Sequence, residues 1–153
     1  DQLGAADDLG TQTASMLGPK LFRRWLLPAY QRIFLPARRS GAHVAMHHDG
    51  YIMDIYEHLI EIGVNAINSQ LFTMPIEEIG QRFKGRITFW GELDRQNILP
   101  FGTPDDVRAA VERVKRALWD GRGGVIGQAE FNMGYSLENI RAFFEAWWGA
   151  PEI

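Results

Sequence analysis

Apolar residues along this chain keep two alternating rhythms. Short, mainly apolar runs occupy residues 2–6, 42–46, 64–67, 87–90 and 124–126. None shows the period-two alternation of a half-exposed strand, so each reads as a strand buried on both faces. Between these runs the apolar positions recur at helical spacing. Leu21, Phe22, Trp25, Leu26, Ala29, Tyr30 and Ile33 form one such stripe. Ile52, Ile55, Tyr56, Leu59 and Ile60 form another, and Val107, Ala110, Val111, Val114, Ala117 and Leu118 a third. Ile140, Phe143, Phe144, Trp147 and Trp148 mark a last helix capped by Ser136, with the tryptophan pair read as core.

The punctuation agrees with the rhythm. Gly18-Pro19 opens the first helix, and Pro28 inside the run should kink or divide it. Gly41 closes that segment, and Gly63 stands where a C-terminal cap glycine belongs. Pro75-Ile76-Glu77-Glu78 starts a short helix toward Phe83. Thr103-Pro104-Asp105-Asp106 is a strong helix start, with Thr at the cap, Pro in the first turn and acids beside the helix dipole. Strand and helix therefore alternate, which predicts an α/β fold with a parallel sheet. Right-handed crossovers place the carboxyl end of every strand on one edge.

Each apolar run ends in polar residues. The tips are Asp7/Asp8, His47/His48/Asp49, Asn68/Gln70, Glu92/Asp94 and Gln128/Glu130. In a barrel or in an open sheet alike, that edge is where ligands bind. The stretch Val44-Ala45-Met46-His47-His48-Asp49-Gly50 is the richest, a strand that stops in two histidines and a carboxylate. His47 and Asp49 are two apart, so extended backbone points them the same way. His48 should face the packing side, His43 lies at the wrong end of its strand, and His58 on its helix is expected to be solvated. Asp7 and Asp8 divide evenly between capping the following turn and touching a ligand. Glu92 is a candidate acid/base, whereas Asp94 better suits hydrogen bonding within its loop.

Composition narrows the classes. The chain has 153 residues, 46% hydrophobic and 23% charged, with net charge −3, so no broad basic surface advertises nucleic acid. Arg23, Arg24, Arg32, Arg38 and Arg39 cluster on and after one helix and read as a solvated face. Without cysteine there is neither disulfide nor thiolate metal site. No stretch approaches the roughly 20 apolar residues of a membrane span. Gly121-Arg122-Gly123-Gly124 precedes a strand, the wrong side for a phosphate loop.

An ordered set of short motifs adds a family resemblance. It comprises Asp7-Asp8-Leu9-Gly10-Thr11-Gln12, Leu17-Gly18-Pro19-Lys20-Leu21-Phe22, His47-His48-Asp49-Gly50 and Gly63-Val64-Asn65-Ala66-Ile67-Asn68. Trp90-Gly91-Glu92-Leu93-Asp94 with Leu99, Gly102-Thr103-Pro104-Asp105-Asp106-Val107 and Leu137-Glu138-Asn139-Ile140 complete it. The set resembles the uroporphyrinogen decarboxylase superfamily, which includes the related corrinoid-type methyltransferases, and it runs almost end to end. The resemblance implies a (β/α)8 TIM barrel of which residues 1–153 are the C-terminal five βα units, an open parallel sheet being the runner-up. A full barrel needs roughly 250 residues. Open edges of a partial barrel invite pairing with a second copy, so a homodimer is one expectation. A cytoplasmic enzyme acting on a small molecule is another.

In the methyltransferase branch, His-x-Cys at the strand-two tip and a Cys at the last strand bind zinc. Here His47 is kept, Asp49 stands for the first Cys, and Ala129, beside Glu130, stands for the second. The resemblance thus implies a divalent metal such as zinc on His47, Asp49 and Glu130, with harder oxygen ligands favoured. A metal-free polar pocket, with His47 as an acid/base or hydrogen-bonding residue, is the competing expectation. The implied catalytic residues are His47, Asp49 and Glu92. The implied substrate contacts are Asp7, Asp8, Gln12, Asn68, Gln70, Asp94 and Gln128. Methyl transfer or demethylation, with a corrinoid protein as methyl donor or acceptor, is the first functional expectation. Porphyrinogen decarboxylation is the second, although those enzymes carry a His after a Gly at the last strand where Gly127-Gln128 stands here. A catalytically silent barrel that binds a small molecule is the third.

Overall fold

The computed structural model describes residues 1–149, so the last four residues of the expected domain lie outside it. Five parallel strands form one sheet in the order β1-β2-β3-β4-β5. They are β1 (Gln2–Ala6), β2 (His43–His48), β3 (Ala66–Ser69), β4 (Thr88–Trp90) and β5 (Val125–Ile126). Sequential order separates the two expected architectures. A doubly wound sheet reverses direction at a switch point and puts helices on both faces, whereas a barrel winds one way only. The five units are a portion of a TIM-barrel wall.

β1 coincides with its apolar run, and the bounds of the other strands shift by at most two residues. β2 continues through both histidines because backbone pairing, not apolarity, sets its length: His47 registers with Ala6 and Asn68, and His48 with Ser69. The first helical stretch runs as α1 (Pro19–Leu21), a π-helical segment (Phe22–Leu26) and α2 (Leu27–Arg39). Pro28 thus falls in the first turn of α2, where its missing N–H costs nothing, and the wide π turn before it absorbs the break. The second stripe begins as a 3-10 turn (Met53–Ile55) and continues as α3 (Tyr56–Glu61). Then follow α4 (Ile76–Phe83), the short α5 (Ile98–Phe101), α6 (Pro104–Leu118) and α7 (Leu137–Trp148). Thr103 and Asp106 form a reciprocal capping box on α6, and the Ser136 hydroxyl accepts from the Asn139 amide on α7.

The helices bury one face of the sheet. Val44, Met46, Ile67 and Phe89 join Phe22, Phe34, Tyr56, Leu59, Ile79, Phe83 and Leu118 in a continuous core. Two expectations are corrected by this packing. His58 is not solvated: its ring stacks on Phe22 at 6.0 Å and Nδ1 lies 3.3 Å from Glu61, because that face of α3 meets the π turn. Trp147 packs against the core while Trp148 is 65% exposed, since adjacent helical residues point about 100° apart. The opposite face of the sheet carries Gly4, Ala45, His47, Asn68 and Trp90 around a cavity of about 190 Å³. Small side chains near the strand roots leave room there, and the polar ones stand at the carboxyl ends.

Candidate functional site

His47, Asn68 and Trp90 share one row across β2, β3 and β4. Asn68 organises the row. Its Nδ2 donates to the Trp90 carbonyl and to Gln128 Oε1, both at 2.6 Å, which leaves its Oδ1 facing His47 Nδ1 at 2.6 Å. A carbonyl only accepts, so this orientation of the amide follows from the network. His47 Nδ1 therefore donates, and Nε2 is turned toward two carboxylates. Asp8 Oδ1 lies 3.5 Å from it and Asp49 Oδ1 3.8 Å.

The tips of β1 and β2 are tied together by backbone. The Asp49 amide donates to Asp8 Oδ1 at 3.0 Å, the Gly10 amide to the Asp49 carbonyl at 3.2 Å, and the Tyr51 amide to the Thr11 carbonyl at 2.7 Å. The loops touch so closely that a Cβ at Gly10 would stand 2.5 Å from the Gly50 carbonyl carbon, which is why both positions need glycine. Buried Gln70 supports the same turn by accepting from the Gly50 amide at 3.0 Å.

On the other side of the mouth, Arg95 gathers carboxylates. It donates to Asp49 Oδ2 at 2.5 Å, to Glu92 Oε1 at 3.2 Å, and to Glu130. Burial works against the guanidinium's charge, but Asp49, Glu92 and Glu130 more than compensate and raise its pKa. Glu92 is 4% exposed and its Oε2 has no partner. Burial pushes its carboxyl up to about 7, with Arg95 pulling it down and Asp49 and Glu130 pushing it further up. The Tyr135 hydroxyl donates to the Arg95 carbonyl at 2.6 Å and anchors this loop to the segment after β5.

The remaining sequence candidates divide. Asp7 accepts from the Tyr30 hydroxyl at 2.6 Å, which ties the β1 tip to α2. Asp94 accepts from the amides of Gln96 and Asn97, both at 2.9 Å, so it closes its own loop. Gln12 sits exposed in the 11–14 turn. Fully buried His48 has neither ring nitrogen paired, and burial lowers its pKa to about 4, with Asp7 opposing and His47 reinforcing the shift. It packs, as its position in the strand alternation requires.

Among the described residues, the grouping that could hold a metal is Asp8, His47 and Asp49, whose ligand atoms lie within 4.8 Å of one another. Glu130 belongs instead to the Arg95 cluster. Arg95 itself escaped the sequence reading, which weighed arginines only as a helix-surface group. Its signal was available, since it is the one Lys or Arg among the tip segments 7–12, 47–50, 68–70, 92–96 and 128–130, beside six carboxylates.

Comparison with known proteins places this mouth in context. A methylated-thiol–coenzyme M methyltransferase of Methanosarcina mazei is 23% identical over 134 residues, covering 88% of this chain and 34% of the relative. A uroporphyrinogen decarboxylase of Xanthomonas euvesicatoria is 26% identical over 129 residues, covering 80% of this chain and 34% of the relative. The chain thus spans about a third of the length of these curated relatives. A solved methyltransferase from Methanosarcina mazei superposes with a TM-score of 0.70 at 18% identity, over 95% of this chain and 41% of that one, and so shares the fold. The model of the uroporphyrinogen decarboxylase (URO-D) family matches residues 2–148, and the chain belongs to that family.

Proposed function

We propose that these five units form part of an enzyme that moves a methyl group from, or onto, a small molecule held at the carboxyl ends of the strands. The observation that carries the reading is the composition of the mouth: one arginine already shared by three carboxylates, with Asp8 and His47 beside them. Such a surface repels a substrate that bears several acid groups, as a porphyrinogen does. It suits a neutral or cationic methyl compound.

In demethylation the carbon–heteroatom bond of the substrate breaks and the methyl carbon bonds to the acceptor. The heteroatom leaves with the bonding pair and takes a proton. Glu92 supplies that proton from its free carboxylate oxygen, because a group near pKa 7 both holds and releases a proton at neutral pH. Arg95 fixes the other oxygen and so orients the acid. His47, Asn68 and Gln128 form a hydrogen-bonded rail that positions the substrate. A corrinoid protein docked at the mouth would supply the methyl acceptor or donor.

The test uses the full-length protein with methyl ethers, methyl thioethers and methylamines, and a corrinoid protein as acceptor. Isotopically labelled methyl is followed by mass spectrometry. Transfer that is lost in His47→Ala and falls about a hundredfold in Glu92→Gln is the expected result. Release of CO2 from uroporphyrinogen without methyl transfer would replace this reading with decarboxylation. Tight binding of a methyl compound with no turnover would replace it with a silent binding barrel.

A further inference from the structure

We propose that Trp147 on α7 is a positioning residue for the mouth. Its ring, pressed on Gly127, sets where Gln128 stands, and through Asn68 it selects which nitrogen of His47 faces the mouth without a proton. The proposal concerns the mouth read above as a methyl-transfer site, but it stands on packing and hydrogen bonds and is read out without that reaction.

β5 is two residues long, and the chain beyond it keeps the strand alternation. Val125 packs on the helix side, Gly127 meets Trp147 there, and Gln128 turns to the mouth. A Cβ at Gly127 would stand 2.7 Å from Trp147 Cδ2 and 2.9 Å from Cε2, too close for a methyl group to fit. Gly127 is not among the glycines with positive φ, so the ring and not the backbone demands glycine here. On the β4 side, the Gly91 amide donates to the Ile126 carbonyl at 3.0 Å and the Leu93 amide to the Gln128 carbonyl at 3.2 Å. The β5 tip is thus held between the β4 tip and the indole.

The indole is itself well placed. Trp147 packs against both hydrophobic cores, the one beneath the sheet and the smaller one between α6 and α7. Phe143 meets its ring at 6.3 Å, and Lys115 lies 5.5 Å over it while donating to the Ala146 carbonyl. Its indole N–H is buried and finds no acceptor among the described residues, so packing alone fixes the ring. A buried N–H without an acceptor carries a cost that a phenyl ring would avoid. The atoms that touch Gly127 lie in the six-membered ring of the indole, a reach that the larger side chain supplies.

The consequence appears at His47. The Asn68 amide has two hydrogens, one held by the Trp90 carbonyl and one by Gln128 Oε1, so its Oδ1 faces His47 Nδ1. That orientation keeps the imidazole proton on Nδ1 and leaves a lone pair on Nε2. When Gln128 withdraws, the amide loses one of its two anchors. The reversed amide presents N–H to Nδ1 and moves the imidazole proton to Nε2. With the lone pair outward, His47 accepts a proton or hydrogen bond from a substrate; with N–H outward it only donates.

The test labels the histidines of the full-length protein with ¹⁵N and reads the ring nitrogens by NMR at a pH where His47 is neutral. Its signals are those missing in His47→Ala, and thermal melts confirm that each variant folds. The parent is expected to hold the Nδ1–H tautomer. Gly127→Ala and Trp147→Ala each lower the ratio of Nδ1–H to Nε2–H by roughly two- to tenfold, the weight of one hydrogen bond. Gln128→Ala does the same, whereas Gln128→Glu, whose carboxylate still accepts from Asn68, keeps the parent's tautomer. Should Trp147→Ala unfold, Trp147→Phe and Gly127→Ala carry the test. A parent in the Nε2–H tautomer, or unchanged ring signals in folded Gly127→Ala, would overturn the proposal. Altered tautomers in the variants of a protein that transfers no methyl group leave the positioning role standing and remove the reaction. Methyl transfer with unaltered tautomers does the reverse.

Discussion

On the helix side of the sheet, Val44, Met46, Ile67 and Phe89 are each 2% exposed or less. On the other side, the residues that alternate with them are Ala45, His47, Asn68 and Trp90. One face excludes water and carries the fold. The other is lined by small residues at the strand roots and hydrogen-bonding ones at the tips. Both are written into the same strands one residue out of phase, because successive side chains point to opposite faces. Stability and chemistry should therefore respond to different substitutions, even at neighbouring positions.

The largest stability effect is expected where the two faces differ most. Phe89→Ala removes a fully buried ring that packs against Tyr56, and should cost about 3–5 kcal/mol in urea unfolding of the full-length protein. A cost below about 1 kcal/mol would mean that the helix side is not the main core.

Arg95→Gln comes next, because it mixes the two roles. It leaves buried Glu92 and half-buried Asp49 without their shared cation, a loss of about 1–3 kcal/mol. Arg95 also holds the Glu92 carboxyl down, so its removal should move the pH profile of activity upward. An unmoved profile would separate Glu92 from the reaction.

Glu92→Gln tests the sign of that carboxyl's contribution to folding. Its pKa rises from 4.5 to about 7 on folding, so the folded chain keeps a proton that the unfolded chain releases. Its contribution is fully present below pH 4.5 and is lost as pH climbs to about 7. Thermal melts of the parent should show that downward slope, and the variant should flatten it.

The smallest stability effect belongs to His47→Ala, within about 0.5–1 kcal/mol, since the ring is partly exposed and its loss leaves no apolar void. The same change should abolish turnover. Unchanged activity in the folded variant would break the division of labour between the faces.

Much of this arrangement was legible from the chain. Apolar rhythm found all five strands and the longer helices, because burial on both faces and helical amphipathicity are local properties. Thr103 and Ser136 marked their helix starts, since a cap acts within a single turn. Alternation placed His47 on the face opposite His48. The ends of β2 and β3 were less legible, as pairing with neighbouring strands extends them into polar residues. His58 was misread because Phe22, its stacking partner, lies 36 positions away in sequence.

The mouth shows the same boundary. Residue types at the tips identified candidates, and parallel winding required the tips to meet. Only the tertiary structure decided who meets whom. Glu130 went to Arg95 rather than to His47, and Asp8 arrived from the neighbouring strand. Each choice depends on register and loop path across 35 or more residues, as the 41-residue span from Asp8 to Asp49 and the 35-residue span from Arg95 to Glu130 illustrate. Periodicity speaks for a few turns of chain at a time. The sequence therefore determined which side of the sheet could do chemistry, and the packed barrel wall determined which atoms face one another.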